Sequence, residues 1–164
     1  LKLFEHNREL FMKGRRCESQ GLGIAAFVYY RRVVEDQRSA IIGEIIRVAK
    51  IIRAPDETLT SLMAAQKETQ FSKSLDLIKD AIPESLRIQG HNPMTLLHDN
   101  LSTGLHSKSD AECLEVAQAI RVILAELAER LSTASKDEAE LTRALGKLLN
   151  KPKPSPPKTT SSAS

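Results

Sequence analysis

Two polar clusters interrupt otherwise apolar helical patterns in this chain, and both carry side chains able to bind or move a proton. The first is Leu97-His98-Asp99-Asn100-Leu101-Ser102-Thr103-Gly104-Leu105-His106. At about 100° per residue Leu97, Leu101 and Leu105 form one helical stripe, with His98, Ser102 and His106 forming a second beside it. Imidazole and hydroxyl groups at the edge of a buried face can serve as acid, base or ligand. They can equally be half-buried groups that close a helix end. The second cluster is Arg31, Glu35 and Arg38, which lie in line with the apolar Ile24, Phe27, Val28 and Ile42. Arg31 and Glu35 are spaced as an i,i+4 ion pair. A guanidinium at Arg31 or Arg32 directed at the polar stripe would instead find a partner in Asp99. Binding candidates are therefore Arg31, Arg32, Glu35, Asn100 and Ser102, and acid–base candidates are His98, Asp99 and His106, with Arg31 as the cation.

Other chemistries find less support. His98 and His106 are about 12 Å apart along a helix, too far to share one ion. The cysteines, Cys17 and Cys113, are distant in sequence and have no CxxC partner. We expect no metal and no cofactor, and the isolated thiols fit a reducing, cytoplasmic setting. The formal charge of +3 disappears when Lys151, Lys153 and Lys158 of the tail are set aside, and a neutral body argues against duplex DNA as a partner. RNA or a nucleotide remains admissible. Aromatic residues, at 4%, are too sparse for a base-stacking platform. Gly21-Leu22-Gly23 at a helix start could bind an anion through backbone donors, but a lone GxG is more often a hinge. No apolar run approaches a membrane span.

The elements that must hold these groups are helical. Residues 1 to 18 read as a helix weakened at Gly14, and Ile24 to about Arg53 as a long spine stopped by Pro55. Apolar residues cover two faces of the spine, so it packs on more than one side, either centrally within the monomer or against a second copy. A short helix follows Asp56 to about Thr69. Another, capped near Ser72 or Ser74, carries Leu75, Ile78 and Ile82 and ends at Pro83. The motif helix begins near Pro93. Ser109-Asp110-Ala111-Glu112 is a capping box opening a strong helix with Cys113, Ala117, Ile120, Leu124, Leu127 and Leu131 inward. Ser135-Lys136-Asp137-Glu138 repeats the pattern and predicts a separate last helix with Leu141, Leu145 and Leu148, docked on the body or on a partner. No segment alternates with period two. The expected fold is all-α, an up-down helical bundle with one long central helix. Its expected divisions are an N-terminal helix over 1–20, the bundle over 21–149, and a disordered Pro/Lys/Ser tail over 150–164. The start at Leu1 predicts a piece of a longer protein with an upstream domain.

Three stretches carry a resemblance. Gly21-Leu22-Gly23-Ile24-Ala25-Ala26-Phe27-Val28-Tyr29-Tyr30-Arg31-Arg32-Val33-Val34-Glu35, Leu101-Ser102-Thr103-Gly104-Leu105-His106-Ser107 and Ala111-Glu112-Cys113-Leu114-Glu115 resemble segments of a group of uncharacterised bacterial proteins. These in turn look like the HEPN superfamily of helical bundles. The resemblance spans about residues 20 to 131. It implies an up-down bundle that commonly dimerises and, in many members, a metal-independent endoribonuclease of toxin or phage-defence type with four to six residues between an Arg and a later His. His106 takes the histidine position, but Asp99, Asn100 and Leu101 stand where the arginine belongs. Arg87, too close to His91 and in a Gly-Pro loop, does not replace it. A cation and a proton-transfer group are needed together at the phosphate. The resemblance therefore implies a non-catalytic dimerisation and sensing module. The alternative is a ribonuclease with a composite site in which Arg31 or Arg32 supplies the cation, or His98 pairs with His106 across a dimer. A nucleotide or small-ligand binding domain is the third reading.

Overall fold

The computed structural model describes residues 2–105 and 108–150, and among these it is entirely helical apart from turns and loops. A 3-10 segment, Lys2–Asn7, leads into α1 (Arg8–Ser19), followed by α2 (Gly23–Ile51), α3 (Asp56–Lys67), α4 (Phe71–Ile78), a 3-10 turn at Glu84–Leu86, α5 (Pro93–Leu101) and α6 (Asp110–Leu149). No strand occurs among the described residues; one isolated bridge, Ile88 to His91, closes the turn through Gln89 and Gly90. The proposed tail over 150–164 lies, beyond Asn150, outside the described residues.

The spine's two apolar faces are satisfied within the monomer. Phe27, Val34, Ile41 and Val48 are buried, as are Ile42, Ile45 and Ile46, because α2 is flanked by α1, α3, α5 and α6. Its two-sided coverage therefore needs no second copy. Ile24, Val28 and Ile52, which the pattern also placed inward, are 40 to 51% exposed. One cluster of buried side chains runs from Phe4 to Leu131, so the N-terminal segment shares the core of the bundle.

Glycines set the closest approaches. A Cβ at Gly14 would lie 2.6 Å from the Tyr30 ring, so the residue expected to weaken α1 is where α1 rests on α2. At Gly23 a Cβ would fall 1.9 Å from the Asp110 carbonyl oxygen and 2.4 Å from the Leu114 nitrogen. The starts of α2 and α6 thus touch backbone to backbone, and the Asp110 carboxylate accepts from the Ile24 N–H at 3.0 Å. That carboxylate occupies the α2 N-terminus, which removes Gly21-Leu22-Gly23 as an anion site.

Three helix boundaries depart from the sequence reading. The Ser109 capping box forms, with Ser109 Oγ accepting from Glu112 N and Glu112 accepting from Ser109 N. Ser135 caps nothing: it lies inside α6 and its hydroxyl donates to the Leu131 carbonyl at 3.0 Å. The two predicted C-terminal helices are therefore one, and α6 rather than the spine is the longest. Ser72 and Ser74 do not cap α4 either. Gln70 holds the cap position, while buried Ser74 donates to the Ala65 carbonyl at 2.8 Å and ties α4 to α3. α4 ends at Ile78, well before Pro83. Finally, α5 ends at Leu101, so Leu105 is not on the helix with Leu97 and Leu101; His106, expected on the adjacent stripe, lies outside the described residues.

Candidate functional site

α5 positions the motif residues. Asn92 caps it, its side-chain oxygen accepting from Met94 N at 3.0 Å and Thr95 N at 3.4 Å, and Pro93 supplies the preset first helical position. Met94, Leu97 and Leu101 point into the core. This orientation leaves His98 and Ser102 at the boundary and turns Asp99 and Asn100 outward. The Asn100 amide donates back to the Leu96 carbonyl at 2.7 Å. The His98 ring sits edge-on to Phe71, centroids 5.0 Å apart and planes at 72°. Its Nε2 is 3.1 Å from Ser102 Oγ, and its Nδ1 is 3.5 Å from Asp99 Oδ1. The first distance is a hydrogen bond; the second is at the limit of one.

Arg31 and Glu35 reach the same place from α2. Together with Gln70, Phe71 and Ser72 at the start of α4 and His98, Leu101 and Ser102 at the end of α5, they line a cleft of about 370 Å³. Arg31 Nε donates to Glu35 Oε1 at 2.8 Å, both side chains nearly half exposed. The i,i+4 pair and the approach to the polar cluster are thus both present, but the partner of Arg31 is Glu35 and not Asp99. The Gln70 side chain makes no cap bond at the start of α4, and the Glu68 carboxylate accepts from the Gln70 N–H at 3.0 Å, so the first-turn donors of that helix lie beside the cleft with a carboxylate just before them. Arg38 braces this wall: its guanidinium carbon is 5.8 Å from the Phe71 ring centroid, and Nη1 donates to the Thr69 carbonyl at 2.9 Å.

Three expected site residues lie elsewhere. Arg32 points to another side of α2, 70% exposed, 4.0 Å from Asp36. Asp99 and Asn100 do not line the cleft, because consecutive positions on a helix face directions about 100° apart. His106 lies outside the described residues. Conversely, Gln70, Phe71 and Ser72 line the cleft although nothing in their local pattern marks them; only the α3–α4 turn brings them there.

A second polar cluster was not anticipated. Glu18, at the end of α1, receives Arg121 Nε of α6 at 3.0 and 2.9 Å through its two oxygens. It also receives the Tyr30 hydroxyl of α2 at 2.5 Å. Burial opposes the Glu18 charge, but the hydrogen bonds from Arg121 and Tyr30 outweigh it and hold the carboxyl below its ordinary range. Burial and the adjacent carboxylate push the Tyr30 phenol up, keeping it a donor. No buried side-chain polar atom among the described residues lacks a partner, and this cluster ties α1, α2 and α6 together.

No group of three His, Cys, Asp or Glu side chains able to hold a metal ion occurs among the described residues, and no helix there is long and apolar enough to cross a membrane. No family model matches the chain, and no curated protein or solved structure matches it either.

Proposed function

We propose that the chain is a non-catalytic, HEPN-like assembly and sensing module, the C-terminal part of a longer bacterial protein. Its α2–α4–α5 cleft takes a small phosphate-bearing ligand such as a nucleotide or the end of an RNA strand. The observation that carries this reading is the convergence of Arg31, His98 and Ser102, from two helices remote in sequence, on one cleft. A phosphate would exchange Glu35 for itself as the partner of Arg31. An exposed i,i+4 pair is worth only about 0.5 kcal/mol, so that exchange costs little.

Titration calorimetry with adenosine 5′-monophosphate and with a short single-stranded RNA tests it. Binding by one of these probes should weaken roughly tenfold or more in Arg31→Ala, as expected for loss of a charged hydrogen bond. It should be unchanged in Arg32→Ala, whose side chain lies outside the cleft. No binding of either probe, or equal effects of the two variants, would sink the cleft as the site.

The hydrogen bond between His98 and Ser102 beside Arg31 favours a second reading, a metal-independent endoribonuclease. Here His98 or His106 would move the proton and Arg31 would face the phosphate. That version requires RNA cleavage that persists in a chelator and disappears in His98→Ala or His106→Ala.

A further inference from the structure

Among the described residues the charged lining of the cleft is Arg31 and Glu35, paired with each other. With a neutral His98 the cleft therefore carries no net charge, and an anion placed there meets one cation and one carboxylate. A proton on His98 tips that balance, and the hydrogen bonds around the ring are arranged to receive it. Nδ1 faces the Asp99 carboxylate at 3.5 Å. A carboxylate only accepts, so the single proton of the neutral ring belongs on Nδ1, and Nε2 accepts from the Ser102 hydroxyl at 3.1 Å. In that state the Ser102 proton is committed to the ring. A proton arriving from solvent at Nε2 reverses the bond: Nε2–H donates to Ser102 Oγ, and the hydroxyl is released to donate into the cleft that Ser102 lines. Each nitrogen of the imidazolium keeps an acceptor.

The surroundings suit a positive ring. His98 stands in the last turn of α5, where the helix dipole favours a cation. From α5 itself it faces Asp99; from α2, Arg31 and Glu35 share its cleft, and Arg38 lies against the Phe71 ring. α4 contributes only the neutral Gln70, Phe71 and Ser72, with the Glu68 carboxylate on the Gln70 N–H, and no residue of α6 lines the cleft. We propose that the α2–α4–α5 cleft binds its anion together with a proton, taken up at His98 and relayed through Ser102. The inference rests on the cleft reading above and adds its regulation: imidazole changes charge between about pH 5 and 8, so affinity rises as pH falls, and by linkage the anion draws the proton in.

The probes are adenosine 5′-monophosphate and a short single-stranded RNA with hydroxyl ends, titrated calorimetrically into the full chain at about pH 8 and about pH 5.5. The phosphodiesters of the RNA stay ionised throughout. Affinity should be at least about tenfold higher at the lower pH, the gain of one charged hydrogen bond. At neutral pH, two buffers of different ionisation heat should report proton uptake on binding. His98→Gln keeps a donor but cannot be charged. It should retain its helicity, lose the uptake and lose most of the pH dependence, and its comparison with the parent removes any titration of the probe. Ser102→Ala should weaken binding more at the lower pH than at the higher. Should His98→Gln lose helicity, the proton count of the parent and Ser102→Ala decide. Failure of both probes to bind at either pH would overturn this inference and the cleft reading together. Binding that needs Arg31 but takes up no proton, or a pH dependence equal in the parent and His98→Gln, would overturn the inference alone. Equal effects of Ser102→Ala at the two pH values would overturn the relay.

Discussion

Two Arg–Glu pairs in this bundle have nearly the same local geometry and opposite roles. Arg121 and Glu18 join α6 to α1 across 103 residues of sequence, with Glu18 only 10% exposed and Tyr30 completing its shell. Arg31 and Glu35 lie one turn apart on α2, each nearly half exposed at the mouth of a cleft. The first pair is withdrawn from water and matched by a third group, so losing one member strands the other. The second is bathed in water, local to one helix and replaceable. Position in the fold, not the ion pair itself, separates a fastener from a binding group.

The largest effect expected from breaking this contrast is at Arg121. Arg121→Ala leaves the Glu18 charge half-matched among α1, α2 and α6 and should lower unfolding free energy by about 2 to 3 kcal/mol in urea denaturation. The value lies below the range of about 3 to 5 kcal/mol for a fully buried pair because Arg121 retains some exposure.

A smaller effect follows from pH. The folded-state pKa of Glu18 lies below its ordinary value of 4.5. The unfolded chain therefore binds the proton first, and the stability contributed by Glu18 is complete above that value and lost as pH falls through the folded pKa. Acid destabilisation should be steeper in the parent than in Glu18→Gln, measured as the slope of unfolding free energy below about pH 4.5. Glu9, Glu68 and Glu112 also have lowered pKa values, but both chains carry them, so they cancel from the slope difference. Equal slopes would mean that the cluster does not fasten the helices.

The smallest expected change in stability is at the cleft. Arg31→Ala should shift unfolding by less than about 0.5 kcal/mol, so any loss of ligand binding in that variant is a property of the site rather than of the fold. A shift as large as that of Arg121→Ala would abolish the distinction between the two pairs.

Much of the helical framework was legible because it is local. The inward residues of α6 from Cys113 to Leu131 follow from a 3.6-residue period, and the Ser109 box follows from two residue types three apart. The same box motif at Ser135 misled because a capping pattern can start a helix only where the preceding residues are not helical. There the α6 ladder runs straight through, and the hydroxyl turns back to Leu131. The motif helix was extended too far for a related reason: apolar spacing continues through Leu105 although the helix closes at Leu101. Arg31 and His98 were legible as candidates, while their meeting and the contribution of Phe71 were not.

What the sequence alone determined is the all-α class, the inward face of α6 from Cys113 to Leu131 and the Ser109 capping box, since these depend on interactions within a few residues. The tertiary structure decided which helices face one another: that Gly23 closes on Asp110, that Glu18 finds Arg121, that Arg31 shares a cleft with His98 while Arg32 does not, and that the leucines of α6 outrun the body. Periodicity specifies that a face must be covered. It does not specify the partner, because that depends on helix lengths, crossing geometry and the few positions small enough for backbones to touch.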